Sequence, residues 1–220
     1  DTDIFDETYF HKGSKRGPEH SIFTHYTKEV LFGFHRLAIN GLNVVSNQPI
    51  IVDNIILICN GEIYNYKYLY KVSNSESVTD SDCEIIIHMY KKYGISTTLT
   101  MLDGVFAFVL YDMNKQEIYA ARDPYGVRPL YMGVQMQMLS NTIQNTFVFS
   151  SEIKQIDQTL DEVKLMFFSP GHYIQIKKTH SWTYDSLVKY IHEPCIQYFL
   201  SKDIDISAML RNALENAVKK

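Results

Sequence analysis

The 220-residue chain is long enough for one large domain, or for one domain and part of a second. A hydrophobic content of 45% supports a sizeable core, and a net charge of −4 without Lys or Arg clusters argues against a nucleic-acid or anionic membrane surface. No apolar stretch is long enough to span a membrane. The three cysteines and eight histidines show no disulfide or metal-ligand spacing. We expect Cys59, Cys83 and Cys195 to be reduced thiols of a cytoplasmic protein, with no metal site.

Residues 1–28 are polar and irregular, with Phe5, Tyr9 and Phe10 predicted on one face of a short helix. A strand is predicted at residues 29–35, and it leads directly into Arg36. An arginine among apolar neighbours is unusual, because arginine is seldom buried unless it is paired. Either Arg36 lies on the surface at the end of the strand, or its guanidinium group binds a carboxylate through two parallel hydrogen bonds.

The apolar run at residues 50–58 predicts two short buried strands around an Asp53–Asn54 turn. The chain then becomes polar at Asn60, Gly61 and Glu62. The side-chain amide of Asn60 and the unobstructed backbone N–H of Gly61 are a candidate pair of donors for an oxyanion. On these two residues alone, an ordinary Asn-Gly turn is the competing interpretation.

A short helix or turn is predicted at residues 64–71. Ser81 and Glu84 then have capping-box spacing, which predicts the start of a helix that ends near Gly94. Asp82 falls in the first turn of that helix, where the helix dipole favours an acidic residue. The same carboxylate is also a candidate partner for a substrate ammonium group.

The second half of the chain alternates short strands with turns. Strands are predicted at residues 105–111, 117–121, 130–133, 146–149 and 172–176. The first of these is apolar on both faces, which is typical of a central strand in a covered sheet. We also predict a helix start at 150–154, a connector over 177–202 and a helix from Asp203 onward. Several short strands with at least two helices indicate a layered α+β domain.

Seven motifs occur in a fixed order along the chain. They are Arg16-Gly17-Pro18-Glu19, Phe34-His35-Arg36-Leu37-Ala38-Ile39, Asn60-Gly61-Glu62-Ile63-Tyr64-Asn65, Ser81-Asp82-Cys83-Glu84, Leu102-Asp103-Gly104-Val105-Phe106-Ala107-Phe108, Arg122-Asp123-Pro124-Tyr125-Gly126-Val127-Arg128-Pro129-Leu130 and Pro170-Gly171-His172-Tyr173. Together they resemble the glutaminase domain of glutamine-dependent asparagine synthetases, from Gly13 almost to the end of the chain. One departure is Glu19, where that family usually has Asp.

The resemblance implies an α+β fold, a four-layer α-β-β-α sandwich of the N-terminal-nucleophile hydrolase type. It implies that residues 1–200 are a type-2 glutamine amidotransferase domain and that residues 201–220 are the first helix of an ATP-dependent asparagine synthetase domain. The nucleophile of the family is a cysteine at the mature N-terminus, usually within Cys-Gly-Ile, and these 220 residues do not contain that motif. We therefore expect a fragment that does not hydrolyse glutamine by itself.

The resemblance also assigns roles to individual residues. Asn60 and Gly61 would stabilise the oxyanion, Arg36 would bind the substrate α-carboxylate, and Glu62 and Asp82 would bind its α-ammonium. The residues whose backbone groups would line the pocket are Leu37, Ala38, Ile39 and Asn40. Glutamine is the implied substrate, and no cofactor is implied for this domain.

Ammonia would pass to a synthetase domain of the same chain that uses aspartate, ATP and Mg²⁺. A homodimer is left open as an expectation for the assembly.

Two other interpretations compete with the glutaminase domain of an asparagine synthetase. The segment from Arg122 to Leu130 also resembles amidophosphoribosyltransferases, which are class II amidotransferases too. The second competing interpretation is a pseudo-glutaminase domain, which has lost its nucleophile and keeps a structural or binding role. The retained pocket residues argue against this interpretation.

Overall fold

The computed structural model describes residues 7–139, 142–156, 163–191 and 205–219. Its helices are α1 (Glu7–His11), α2 (Tyr66–Ser73), α3 (Ile85–Met101) and α4 (Ile206–Val218). Its strands are β1 (His20–His25), β2 (Leu31–Arg36), β3 (Ile50–Val52), β4 (Ile55–Ile63), β5 (Gly104–Asp112), β6 (Glu117–Arg122), β7 (Tyr131–Leu139), β8 (Thr142–Ser150), β9 (Lys164–Phe167), β10 (His172–Lys178), β11 (Trp182–Tyr184) and β12 (Val188–Lys189). No helix in these described ranges is both long enough and apolar enough to cross a membrane.

The largest sheet is antiparallel, with strand order β11-β10-β6-β5-β4-β3, and β12 also pairs with β10. The predicted hairpin at its edge is confirmed, because Ile50 pairs with Leu57 across a two-residue turn. Asp53 and Asn54 both have positive φ, of 49° and 63°. This is the conformation that a two-residue hairpin turn requires, and Asp and Asn tolerate it better than most residues.

Two smaller antiparallel sheets, β1-β2 and β8-β7-β9, form a second β layer. Phe32 of β2 and Met132 of β7 pack against Ile56, Val109 and other side chains of the large sheet. The buried residues of this interlayer core are Val30, Phe32, Ile56, Ala107, Val109, Tyr111, Ala120, Leu130, Met132, Val134, Phe168, Ile174 and Ile176. The large sheet is therefore buried on this face, as predicted from the apolar pattern of β5.

Helices α2 and α3 cover the opposite face of the large sheet. Leu69 of α2 and Ile86 of α3 pack with Leu57, Phe106 and Phe108 in a second core. The outer face of the β1-β2 hairpin is covered by α1, where the ring of Phe10 stacks on that of His35 with centroids 3.9 Å apart. Helices thus flank both β layers, and the α+β sandwich predicted from the sequence is confirmed.

The local details of α3 differ from the prediction. Ser81 does cap this region, because its Oγ accepts the N–H of Cys83 at 3.3 Å. Glu84 does not complete a capping box, since its carboxylate binds Val78 and Thr79 instead. Gly94, where the helix was predicted to end, does interrupt it with a non-helical φ of 75° and ψ of 170°, and a second helical segment then runs to Met101.

Two further predictions are wrong. The helix predicted to start at 150–154 is only a 3₁₀ turn over Ile153–Gln155. The predicted connector at 177–202 contains the end of β10 and strands β11 and β12 in its described part. Both short strands lie at the sheet edge with largely exposed side chains, so their composition lacks the apolar signal of a buried strand.

The predicted C-terminal helix is confirmed as α4, and Asp205 caps it by accepting the N–H of Ala208 at 3.0 Å. The first residues of that prediction, 203 and 204, lie outside the described residues, as do Asp1, Phe5 and Cys195. The proposed domain boundary between residues 200 and 201 also falls there, and it stays a prediction.

Candidate active site

A cavity of about 690 Å³ lies between the two β layers and opens near the ends of β2 and β4. Its volume is that of a typical small-molecule site. The predicted site residues that line it are Arg36, Leu37, Ala38, Ile39, Asn40, Asn60, Gly61 and Asp82. Glu62 lies just outside this lining and reaches it through a contact with Asn40. Residues from three separate parts of the chain therefore meet at one cavity.

Strand alternation aims the two candidate oxyanion donors at this cavity. The backbone groups of Cys59 bind the side chain of Gln48, and the N–H of Ile63 binds Asp82, so these residues direct their backbone away from β5. Gly61 lies midway between Cys59 and Ile63 in β4. Because every second residue of a strand directs its backbone N–H to the same side, the N–H of Gly61 also points away from β5. Asn60 directs its side chain to the interlayer face instead, where its amide donates to Ser151 Oγ at 3.4 Å. The amide of Asn60 and the N–H of Gly61 thus border the same space.

Gly61 has no room for a side chain. A Cβ at this position would lie 2.3 Å from the carbonyl oxygen of Val105 and 2.7 Å from the Cα of Phe106, both on the neighbouring strand. The glycine is therefore required by the close approach of β5, besides leaving its N–H unobstructed.

Asp82 is almost fully buried at the end of the cavity. Its Oδ2 atom accepts the N–H of Ile63 at 2.6 Å, and its Oδ1 atom lies 3.3 Å from the side-chain nitrogen of Asn40. The same nitrogen is 3.5 Å from Oε1 of Glu62. The two carboxylates predicted to bind an ammonium group are thus brought together, with the Asn40 amide between them.

Arg36 is buried, and its guanidinium group contacts the loop that follows. Its Nη1 donates to the carbonyl of Asn43 and to Oδ1 of Asn47, and its Nη2 donates to the carbonyl of Gly41. The position at the cavity agrees with the prediction, whereas these loop contacts were not foreseen. An incoming carboxylate would have to share the guanidinium with this loop or replace some of its carbonyls.

The segment after Arg36 is partly exposed at the mouth of the cavity. Leu37 and Ile39 are 58% and 60% exposed, while the N–H of Ala38 donates to Oε2 of Glu19 at 2.9 Å. Sequence reasoning missed this role of Glu19 and treated the residue only as a departure from a family motif. Gly17 packs directly on the backbone here, since a Cβ would lie 2.3 Å from the carbonyl carbon of His35. The motif at residues 16–19 therefore supports the segment that lines the cavity.

Sequence reasoning also missed the role of Glu84. This fully buried carboxylate accepts the N–H groups of Val78 and Thr79 at 2.7 and 2.6 Å, and it contacts Nε2 of His88 at 2.8 Å. Burial raises the pKa of Glu84, but the hydrogen bonds from His88, Thr79 and Val78 outweigh burial and hold the pKa below its ordinary value. Glu84 thereby fixes the loop that leads into Asp82.

That loop is tied to the loop held by Arg36. The N–H of Asp80 donates to Oγ of Ser46 at 3.1 Å, and the side-chain amide of Asn43 donates to the Asp80 carboxylate. Ser46 Oγ in turn donates to Oδ1 of Asn43 at 2.6 Å. The loops at residues 41–47 and 78–82 are therefore cross-linked beside the cavity by polar contacts.

Two cysteines line the cavity, but neither is suited to act as a nucleophile. Cys59 and Cys83 are 3% and 2% exposed. The neighbouring Cys59 thiol, burial and the Asp82 carboxylate all raise the pKa of Cys83, so this thiol stays protonated near neutral pH. A thiol reacts as its thiolate, and an inert buried cysteine is the ordinary structural case. Among the described residues, no group of three His, Cys, Asp or Glu side chains is arranged to hold a metal ion.

Two strand edges border the cavity along its length. Within the described ranges, β2 pairs with β1 alone and β8 pairs with β7 alone. All of β2 and residues 144–150 of β8 line the cavity. Both strands run toward the end where Asn60 and Asp82 lie, because β2 ends at Arg36 and β8 ends beside Ser151. The cavity thus continues from the candidate site into a slot between two free edges.

Comparison with known families agrees with this geometry. A family model described as a glutamine amidotransferase domain matches residues 6–185. The chain belongs to this glutamine amidotransferase family. The matched range contains every candidate site residue named above, and the resemblance inferred from the sequence is confirmed.

Curated relatives of this amidotransferase domain are asparagine synthetases named as glutamine-hydrolysing. The chain is 36% identical to the Mus musculus enzyme over 95% of its length, which is 40% of that protein. It is 36% identical to a probable asparagine synthetase of Schizosaccharomyces pombe over 84% of its length, or 31% of that protein. The chain therefore spans about two fifths or less of the length of these relatives.

Among solved structures, the chain resembles a glutamine phosphoribosylpyrophosphate amidotransferase from B. subtilis with a TM-score of 0.54. The match has 24% sequence identity and covers 72% of this chain and 34% of the other. At this identity the likeness shows the fold alone, which is that of the sandwich described above.

Proposed function

We propose that the protein to which this chain belongs hydrolyses glutamine and uses the ammonia to convert aspartate to asparagine. The observation that carries this proposal is the shared cavity, because Arg36, Asp82 and the pair Asn60–Gly61 all line it. A cationic group, an anionic group and two neutral donors at one site match the α-carboxylate, the α-ammonium and the side-chain amide of glutamine. The names of the curated relatives support the choice of glutamine and asparagine.

In the proposed site, Arg36 binds the α-carboxylate of glutamine, while Asp82 and Glu62 bind its α-ammonium. The side-chain amide of the substrate then extends toward Asn60 and Gly61. A thiolate adds to the amide carbon, and the negative charge that forms on the amide oxygen is stabilised by the Asn60 amide and the Gly61 N–H. The C–N bond breaks with protonation of the nitrogen, which leaves as ammonia. Water then cleaves the thioester to give glutamate and restore the thiol.

The proposed thiol belongs to an extended segment that lies in the slot between β2 and β8. Among the described residues, Cys59 and Cys83 are excluded by their burial, and their backbones are already fixed in β4 and in the turn before α3. A strand that begins at the Asn60 end of the slot would run away from it, antiparallel to both β2 and β8. It would pair with both free edges and join the two small sheets into one, which satisfies the backbone groups on each edge.

The later steps are proposed for a further domain, since the chain spans 40% of the mouse relative. There, ATP would activate aspartate, and ammonia from glutamine would complete the amide. ATP and Mg²⁺ are assigned to that further domain as part of the proposal. The proposed contribution of this chain is to bind glutamine and release ammonia.

The test is to compare the full-length gene product with the 220-residue chain. Glutamate release from glutamine is measured for both, together with asparagine formation from aspartate and ATP. The full-length protein is expected to show both activities, and the 220-residue chain is expected to show neither because it lacks the proposed thiol. Asp82→Asn in the full-length protein is expected to raise KM for glutamine more than about tenfold, since a charged hydrogen-bonded partner of a ligand contributes about 1.5–3 kcal/mol.

Glu76→Gln is the matched control, because Glu76 is exposed and lies outside the cavity lining. This variant is expected to keep the KM of the unchanged protein. Glutamine hydrolysis by the 220-residue chain would contradict the proposed external thiol. A full-length protein that makes asparagine only from free ammonium, and never from glutamine, would contradict the proposed role of the cavity.

A further inference from the structure

The side-chain nitrogen of Asn40 lies where two carboxylates converge. It is 3.3 Å from Oδ1 of Asp82 and 3.5 Å from Oε1 of Glu62. The orientation of this amide follows from its surroundings, because both neighbouring atoms are carboxylate oxygens and only the nitrogen end of the amide can donate to them. A nitrogen with donor protons therefore already lies at the position that these carboxylates define.

The Asp82 oxygen that faces Asn40 is the one that does not bind a backbone N–H. Oδ2 is held by the N–H of Ile63, so Oδ1 is the atom directed into the cavity. An ammonium group at the Asn40 position would bring three N–H donors and a full positive charge to two carboxylates, whereas the amide brings two donors and no charge. An ammonium group thus binds the two carboxylates more strongly than the Asn40 amide, which occupies the same position.

The backbone next to Asn40 is held by the other charged group of the cavity. Gly41, with φ of 63°, follows Asn40 directly, and its carbonyl accepts a hydrogen bond from Nη2 of Arg36. A ligand carboxylate that takes this guanidinium N–H would release the Gly41 carbonyl. The residue before it, Asn40, is exposed and is then free to leave the two carboxylates.

We propose that Asn40 is a residue of the amino-acid site that holds the ammonium position between Glu62 and Asp82 and yields it to the ammonium group of an α-amino acid. The inference rests on the proposed function, since it names the group of glutamine that replaces the amide. A ligand with an α-carboxylate and an α-ammonium affects two adjacent residues. Its carboxylate binds Arg36 and so releases Gly41, and its ammonium directly replaces the amide of Asn40. A ligand without the ammonium leaves Asn40 paired with Glu62 and Asp82 and gains no charged contact there, so an α-amino acid is favoured over it.

The experiment uses L-glutamate, the product of the proposed reaction, which keeps both α groups and is not turned over. Glutarate, which lacks the α-ammonium, is the matched probe. Binding of each is measured by isothermal titration calorimetry to the full-length protein and to its Asn40→Leu and Asn40→Lys variants. The unchanged protein is expected to bind L-glutamate and to bind glutarate at least about tenfold more weakly, since glutarate brings no ammonium to the two carboxylates and gains no charged hydrogen bond from them.

Asn40→Leu removes the competing amide, so L-glutamate is expected to bind about two- to tenfold more tightly, in line with the loss of one or two weak hydrogen bonds. Asn40→Lys places a tethered ammonium between the same carboxylates and is expected to weaken L-glutamate binding at least about tenfold. The control positions are Asn216→Leu and Asn216→Lys on the exposed helix α4, which are expected to change neither affinity. Circular dichroism of each variant checks that the fold is kept.

Unchanged or weaker binding of L-glutamate to the Asn40→Leu variant, with normal binding to the unchanged protein, would overturn the role of Asn40 and leave the proposed function intact. Equal affinity of the unchanged protein for L-glutamate and glutarate would overturn it as well. If the unchanged protein and the Asn40→Leu variant both fail to bind L-glutamate, the proposed amino-acid site is wrong, and the inference falls with it.

Discussion

Replacing Glu84 with glutamine is expected to destabilise the loop that carries Asp82 without changing the size of the side chain. Oε1 of Glu84 accepts the N–H of Val78 at 2.7 Å and contacts His88 at 2.8 Å. Oε2 accepts the N–H of Thr79 at 2.6 Å and also the Thr79 hydroxyl. Each carboxylate oxygen therefore accepts one backbone N–H.

A glutamine amide has only one oxygen, so one of the two backbone donors must face an NH₂ group in either orientation of the amide. The Thr79 hydroxyl can turn to accept, and the His88 ring can accept through its other tautomer, but a backbone N–H cannot change its role. An unsatisfied buried donor costs about 1–3 kcal/mol, and the loss of charge from the remaining hydrogen bonds adds to this. We therefore expect Glu84→Gln to lower the free energy of unfolding by about 2–4 kcal/mol.

The assay is urea unfolding at pH 7, followed by circular dichroism, with Glu76→Gln as the matched control. Glu76 is exposed, so the same chemical change at that position is expected to alter the free energy of unfolding by less than about 0.5 kcal/mol. A Glu84→Gln variant as stable as the Glu76→Gln variant would show that the hydrogen bonds to Val78 and Thr79 are not important for stability. That result would also remove the proposed support of Asp82.

The pH dependence gives an independent check on the same carboxylate. The folded protein holds the pKa of Glu84 below its ordinary value of 4.5. A lowered pKa in the folded state means that the stabilisation is present above pH 4.5 and is lost as the pH falls through the lower folded value. The difference in stability between the unchanged protein and the Glu84→Gln variant is therefore expected to shrink below pH 4.5. A difference that grows with acidification would refute the assignment.

Three other substitutions test buried backbone and polar contacts by thermal or urea unfolding. Gly61→Ala places a Cβ 2.3 Å from a backbone oxygen of β5 and is expected to cost about 3 kcal/mol or more, with a lower yield of folded protein. Asp123→Asn leaves at least one buried backbone donor of the 123–128 turn facing an NH₂ group, and is expected to cost about 2–4 kcal/mol. Ser46→Ala removes the acceptor of the Asp80 N–H and is expected to cost about 1–2 kcal/mol. Changes below about 0.5 kcal/mol would contradict each argument.

The elements that could be predicted from the sequence are those with a strong local or periodic signal. The Asp53–Asn54 turn between apolar strands predicts a hairpin, and β5 predicts a buried central strand. The residues of the candidate site were found through motifs of the family, because a motif keeps the residue types that a site needs. Arg36, Asn60 and Asp82 do line one cavity.

The contacts that could not be predicted depend on the conformation of loops or join residues far apart in the sequence. Glu84 has the spacing of a helix cap, but the turn before α3 places its carboxylate under Val78 and Thr79 instead. The guanidinium of Arg36 binds loop carbonyls whose position depends on the fold of residues 41–47. Asn40 contacts the Asp82 carboxylate although the two residues are 42 positions apart, and no local sequence pattern predicts a contact at that separation. Edge strands β11 and β12 were missed because exposed side chains carry little strand signal.

The two groups that would hold an amino acid, on Arg36 and Asp82, are connected through loops that contact each other. Arg36 fixes the carbonyl of Asn43, and the side chain of Asn43 binds the carboxylate of Asp80, two residues before Asp82. Glu84 holds the loop at residues 78–82 through its hydrogen bonds to Val78 and Thr79. A shift of this loop or of the loop at residues 41–47 therefore shifts the other. The separation between the cationic and anionic ends of the cavity is thus set by these polar contacts as well as by the sheets. A ligand whose two charged groups are both on one carbon requires this separation to be short and constant, which explains why so many buried polar side chains are used around so small a site.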